Sequence, residues 1–399
     1  MSIPANPFFA TPAQRIALAR ERFFEQGQRP LGLVSEPIIQ SWARCLSVGH
    51  RPHETPVFDP VSRARMRATV ERNRALLRAA GPEIDQLDAM LAGTACKTVL
   101  TDRHGVVVRA TPGGLGAGEV LDALGRPGVD LQERHVGSTA PGISATAESW
   151  VTVSGAEHFF GVLQAVHCAA APIRNGQGQL VGVLDLSIQG AGFAFDALSI
   201  VRLSAAAIEN RLLATQAAGQ LLLRFQSSPR LVGTPLEGLA AVDEHGRLCW
   251  VNPAGQTLLQ RPADDAGERF VEPLLGLTLD GLLRLTRQHQ PLPHRLPSGL
   301  QIWLQVSLAD AARSAEVVPE DGAEPPVVAA AAPATRATEA AEEVAVAAVQ
   351  AGGPGVSLRA LSQQVIESTL QRCGGNISAA AWSRCPVAST ACTPARSGG

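Results

Sequence analysis

Glu157, His158, His167 and Cys168 lie close together in a stretch of sequence that is otherwise apolar. An acid, two imidazoles and a thiol in such a setting can bind a small polar molecule, because ligand pockets are mostly apolar with a few convergent polar groups. Asp185, from the run 182–187, joins them as a candidate. The same groups could instead serve a thiol nucleophile, with Cys168 or Cys96 attacking and His167 as the nearest cation. That chemistry needs a lowered thiol pKa and a resolving cysteine within reach. A histidine beside Phe159 and Phe160 also suits a satisfied core position. No His or Cys pair has the short spacing that metal ligation favours, so no metal is expected. The ligand set read from the sequence is therefore Glu157, His158, His167, Cys168 and Asp185, with no catalytic residue and no cofactor.

The elements that must hold these residues alternate between α and β. A helix is expected over 84–91, and strands over 98–102 and 106–108 around an Arg103-His104-Gly105 turn. Another strand is expected over 180–187 after a turn at 174–178, then a closing helix from 195 to about 225. Ahead of them, 12–27 and 37–46 read as helices, and Trp42 in Ser41-Trp42-Ala43-Arg44-Cys45 reads as a packed aromatic near a guanidinium. A second unit begins with a strand, a turn at His245-Gly246, a strand and a helix entered through Asn252-Pro253, and alternation predicts a late strand over 301–307.

Residues 311–356 turn to Ala, Val, Pro and Glu, too poor in large side chains to offset chain entropy, and read as a flexible tether. Beyond it, Leu358, Leu361, Val365, Ile366 and Leu370 fall on one helical face. Gly374-Gly375 ends that helix, and Asn376 caps a second beginning at Ile377.

The run 370–381, Leu-Gln-Arg-Cys-Gly-Gly-Asn-Ile-Ser-Ala-Ala-Ala, resembles the Fis-type DNA-binding domain of bacterial sigma-54-dependent activators. Ser-Trp-Ala-Arg-Cys-Leu-Ser-Val-Gly at 41–49, Gly137-Ser138-Thr139-Ala140-Pro141-Gly142-Ile143, Gly155-Ala156-Glu157-His158-Phe159 and 168–173 resemble the sensory half of the acetoin-type subfamily. The resemblance implies an α+β multidomain chain: a helical leader (1–60), a GAF-like sensor with an antiparallel sheet and helices on one face (61–225), a PAS-like unit (226–310), the linker (311–356) and a partial all-α helix-turn-helix (357–399). Ser138 and Pro141 depart from the sensor pattern. In the tail, Asn376, Ser378, Arg384, Ser389 and Thr390 are the implied DNA contacts. Pro386 and Pro394 bracket the place where the recognition helix should run, and a proline inside a helix costs about 3 kcal/mol or more, so DNA binding is read as inherited and open to loss.

Composition excludes several classes. A net charge of -2 over 399 residues gives no global pull toward nucleic acid or membrane. The start lacks a basic region followed by an apolar core, and no apolar run is long enough to cross a bilayer, so a cytosolic chain is expected. Seven scattered cysteines predict reduced thiols. The chain has one lysine, Lys97, and no Gly-rich loop ending in Gly-Lys-Ser or Gly-Lys-Thr, so the ATPase of the resembled activators is missing. The expected function is that of a regulator, dimeric because one half-site offers few DNA contacts, that senses a small effector. The alternatives are a thiol enzyme on a GAF scaffold, similar to a free methionine sulfoxide reductase, and a DNA-silent partner of related activators.

Overall fold

The computed structural model describes residues 11–112, 118–260 and 270–309. The tether and the helix-turn-helix, with Asn376, Ser378, Arg384, Ser389 and Thr390, lie outside the described residues.

The leader holds α1 (Pro12–Arg20), which Thr11 caps through its side chain and which continues as one π-turn to Glu25, and α2 (Glu36–Ser47). Next come α3 (Arg63–Arg72) and α4 (Arg74–Met90). The helix expected at 84 thus starts ten residues earlier. Gly81-Pro82 reads as a boundary, yet Leu76, Ala79, Ala80, Ile84 and Leu87 keep one buried stripe running through it.

A five-stranded antiparallel sheet is built from β1 (Lys97–Asp102), β2 (Val107–Ala110), β3 (Val151–Ser154), β4 (Val166–Arg174) and β5 (Leu180–Gln189), in the order β2-β1-β5-β4-β3. Between β2 and β3 run α5 (Glu119–Leu124), α6 (Glu133–Val136) and α7 (Ala140–Ala147). After β5 comes α8 (Ala197–Gln216). β1 is buried along its whole length because both faces of the sheet are covered. On one face Leu76, Ile84, Val201 and Ile208 of α4 and α8 pack on Leu100, Leu184 and Leu186. On the other, Ile16, Ile38, Trp42, Leu121 and Ile143 pack with Val99, Val183 and Cys168. Helices therefore lie on two faces instead of one, and the leader supplies much of the second layer.

The second sheet contains β6 (Leu221–Gln226), β7 (Gly238–Val242), β8 (Leu248–Val251), β9 (Leu292–Arg295) and β10 (Gln301–Leu308), in the order β8-β7-β6-β10-β9. It is flanked by α9 (Pro253–Leu258), α10 (Val271–Leu275) and α11 (Leu279–Leu285). The helix expected to run to about 225 stops at Gln216, and Leu221–Gln226 become the central strand of this sheet. Gly219, at φ +78°, breaks the helix. Leu221-Leu222-Leu223 then bury both faces of a strand, a run that periodicity cannot tell from buried helix. The later expectations hold: the turn before β8, the entry to α9 through Asn252 and Pro253, and the strand at 301 all form.

Both sheets belong to one compact unit, joined by α8. Leu213 and Ala217 at its end pack with Leu222, Leu239, Ala241 and Trp250 of the second sheet. No helix among the described residues is long and apolar enough to cross a membrane.

Candidate ligand-binding site

Strand alternation decides which side chains meet. Cys168 of β4 stands opposite Ser187 of β5, and Asp185, two residues before Ser187, points to the same face opposite Val99 of β1. Helix α5 roofs this patch with Leu121 and Leu124, and α7 closes its side with Thr139 and Pro141. The result is a cavity of about 20 Å³ whose wall is otherwise Val99, Gly125 and Leu131, room for about one water molecule. Pro141 sits in the first turn of α7, where its missing N–H leaves nothing unsatisfied, while Thr139 caps the helix by accepting from Gly142 N at 3.4 Å.

Asp185 is the chemically active group of the cavity. Its Oδ2 accepts from Ser187 Oγ at 2.5 Å, and its buried Oδ1 has no hydrogen-bond partner among the described residues. Burial pushes its carboxyl up to about 7, against the opposing pull of the Ser187 hydrogen bond. Ser187 Oγ is also 3.1 Å from Cys168 Sγ, which lies 3.6 Å from His158 Nε2. Burial raises the Cys168 thiol well above its ordinary range and lowers His158 to about 4, so both are neutral at pH 7.

The structure thus brings Asp185 and Cys168 to the cavity, with His158 behind Cys168. Glu157 and His167 go elsewhere. Glu157 accepts from Ser154 N at 2.9 Å and closes a capping turn, and burial raises its carboxyl to about 7. His167 points to the opposite face of β4, where Nε2 donates to Gly190 O at 3.2 Å. Ser187 and Thr139 were missed in the sequence, although Ser187 follows Asp185 at the spacing that keeps two strand residues on one face. The thiol-enzyme alternative fails on geometry and electrostatics: Cys168 is a neutral buried thiol, and Cys96 belongs to the core on the other side of the sheet.

Four residues of the leader motif hold segments that neighbour this site. Ser41 Oγ is 2.6 Å from Ser138 Oγ, and Trp42 Nε1 donates to Glu157 O at 2.8 Å. Arg44 forms a two-pronged pair with Glu133 at 2.6 and 2.8 Å, which also raises the Arg44 pKa. Cys45 Sγ approaches Ser138 Oγ at 3.7 Å, and burial pushes its thiol up to about 11. Arg20 donates to the carbonyls of Ala156, His158 and Phe159 at 3.0, 2.8 and 3.2 Å, with its guanidinium stacked 4.8 Å from the Phe24 ring. Gly137, at φ +69°, lets the Phe160 ring approach where a Cβ would collide.

Among the described residues no group of three or more His, Cys, Asp or Glu side chains could hold a metal ion. The sequence profile of the MimR N-terminal domain matches residues 10–209, spanning the leader, the first sheet and most of α8. The chain belongs to the MimR N-terminal domain family. Its relatives include the acetoin catabolism regulatory protein of Cupriavidus necator, 29% identical over 262 residues that cover 63% of this chain and 39% of that protein. The acetoin dehydrogenase operon transcriptional activator AcoR of Bacillus subtilis is 25% identical over 51% of this chain and 34% of its own length. The propane 2-monooxygenase operon transcriptional activator MimR of Mycolicibacterium smegmatis is 29% identical over 44% and 29%. The chain thus spans less than two-fifths of the length of these MimR-type and acetoin-type relatives, all of them named as regulators. Among solved structures, the Escherichia coli DhaR(N)-DhaL complex is 18% identical, with a TM-score of 0.43 over 68% of this chain and 99% of that one.

Proposed function

We propose that this chain is a non-catalytic transcriptional regulator whose first sheet senses a small, uncharged, hydroxyl-bearing molecule. The observation that carries the reading is the buried Oδ1 of Asp185, without a partner among the described residues, on a side chain that lines an apolar cavity, in a chain related to transcriptional activators. A buried acceptor without a donor is costly, and a ligand hydroxyl would satisfy it. Among the described residues no Arg or Lys side chain lines the cavity, so a carboxylate or phosphate would enter against Asp185 with no described cation to neutralise it. Entry of anything larger than water displaces α5, which is held by the Lys97–Asp122 ion pair at 2.9 Å and by Gln189 at Leu121 N. Acetoin, a short hydroxyketone named for two of the relatives, has the required chemistry.

Output is proposed to pass through the second sheet to DNA contacts within 357–399, in a cytosolic homodimer that acts by DNA occupancy or by pairing with another regulator. The sequence carries no phosphate-binding loop for ATP-driven work. A gel shift against the promoter region next to its own gene, run across salt concentrations with and without acetoin, tests this. Binding that weakens linearly with log salt and changes with acetoin supports it. No shift at low salt removes DNA as a direct partner and leaves the silent-dimer alternative.

A further inference from the structure

The polar groups of the cavity continue past its wall in an unbroken buried line. Asp185, Ser187, Cys168 and His158 follow one another at 2.5, 3.1 and 3.6 Å. His158 Nδ1 lies 3.0 Å from Gly155 O. A carbonyl can only accept, so the ring proton sits on Nδ1, and Nε2 faces the thiol as an acceptor. Cys168 therefore donates to His158. The backbone carbonyl of His158 is in turn one of the three that Arg20 holds from the leader.

Ser187 is the branch point. Its hydroxyl has a single proton and two acceptors within reach, Asp185 Oδ2 and Cys168 Sγ. Ionised, the carboxylate accepts the Ser187 proton; protonated, as burial favours, its carboxyl donates to Ser187 across the same 2.5 Å, and Ser187 passes its own proton to Cys168. All bonds then point one way, toward His158, and each polarises the next. A ligand hydroxyl donating to Oδ1 favours the carboxylate, whose proton leaves to solvent. The carboxylate only accepts, so it draws the Ser187 proton to itself, and the thiol-to-imidazole bond loses its support.

We propose that Asp185 and Ser187 form a hydrogen-bond switch that reports occupancy of the cavity, through Cys168 and His158, to the 155–160 connector clasped by Arg20. This coupling rests on reading the cavity as a ligand site, but the switch has consequences without any ligand. Hydrogen–deuterium exchange of the full chain tests it at the 155–160 amides. Ser187→Ala removes the donor and should speed exchange there by about threefold or more. Asp185→Leu leaves Ser187 only Cys168 to serve and should keep exchange within about twofold of wild type, although it alters the cavity more. On a His158→Phe background, or on Cys168→Ala if that protein does not fold, the Ser187→Ala effect should vanish. Equal acceleration by Asp185→Leu and Ser187→Ala, or an effect that survives both backgrounds, overturns the switch. Saturating acetoin should reproduce the Ser187→Ala acceleration in wild type. Heat of acetoin binding without any change at 155–160 also overturns the proposal. The expected variant pattern with no heat from acetoin supports the switch and counts against acetoin as the ligand.

Discussion

Trp42 donates its indole N–H to the backbone carbonyl of Glu157 at 2.8 Å, fixing the leader to the residue that precedes His158. Trp42 is fully buried, against Phe23 and Phe24 at ring centroid separations of 5.4 and 5.0 Å. The leader is therefore part of the core around the cavity. Trp42→Phe keeps most of the ring but strands the carbonyl, and should cost about 1–3 kcal/mol. Trp42→Ala should cost about 3–5 kcal/mol. Urea unfolding followed by circular dichroism measures both, and a loss below about 0.5 kcal/mol for Trp42→Phe would show that the bond contributes nothing.

Arg44 and Glu133 make the other leader clasp, with the guanidinium still partly open to solvent. Screening limits the pair to about 1 kcal/mol of coupling in a double-mutant cycle of Arg44→Ala and Glu133→Ala, shrinking as salt is raised. Arg44→Lys should recover less than half of it, because an ammonium lacks the two-pronged fork.

Asp185 and His158 should bend the pH dependence of stability in opposite senses. The folded value for Asp185, about 7, lies above that of an unfolded carboxyl, so folding favours the protonated form. Its contribution is complete below about pH 4 and is lost as pH rises through the folded value. The folded value for His158, about 4, lies below that of free imidazole. Its contribution is complete above about pH 6.5 and is lost as pH falls through the folded value. Glu157 and Glu209, also raised to about 7, remain in every variant and cancel in differences. The stability of Asp185→Asn minus that of wild type should therefore grow by roughly 1 kcal/mol or more between pH 4.5 and 8. A pH-independent difference would contradict the assignment.

Asn252 ties the second sheet to α8. Its Oδ1 accepts from Leu239 N and Gly255 N, and its Nδ2 donates to Glu237 O and to Asn210 Oδ1 at 2.8 Å. Asn252→Ala should cost about 2–4 kcal/mol in urea unfolding, since it removes a helix cap and strands buried groups. Asn210→Ala, which removes one of the four partners, should cost no more than about 1 kcal/mol.

Much of this architecture was legible because local chemistry marked it. Alternation and turn residues disclosed the 97–110 hairpin, β5 and the Asn252-Pro253 helix entry, and the leader motif disclosed itself through residue types later found gripping Glu133, Ser138 and Glu157. What escaped was set by tertiary context. Leu221–Gln226 read as helix because an apolar run buried on both sides has no period to betray it. Glu157 and His167 looked like pocket groups because they neighbour His158 and Cys168 in sequence, but adjacent strand residues face opposite ways, and a capping turn consumes the Glu157 carboxylate. Ser187 was overlooked because a serine within a strand carries no signal until its partners are seen.

Under the proposed function the buried free oxygen of Asp185 receives a hydroxyl from a small neutral ligand. Isothermal titration of wild type and Asp185→Leu with acetoin, 2,3-butanediol, butanone and butyrate tests it most directly. Saturable heat is expected from the hydroxyl-bearing pair and none from butyrate, with at least about a tenfold loss of affinity in Asp185→Leu, the worth of one buried hydrogen bond. No heat from either hydroxyl compound, or equal affinity in the two proteins, would contradict it.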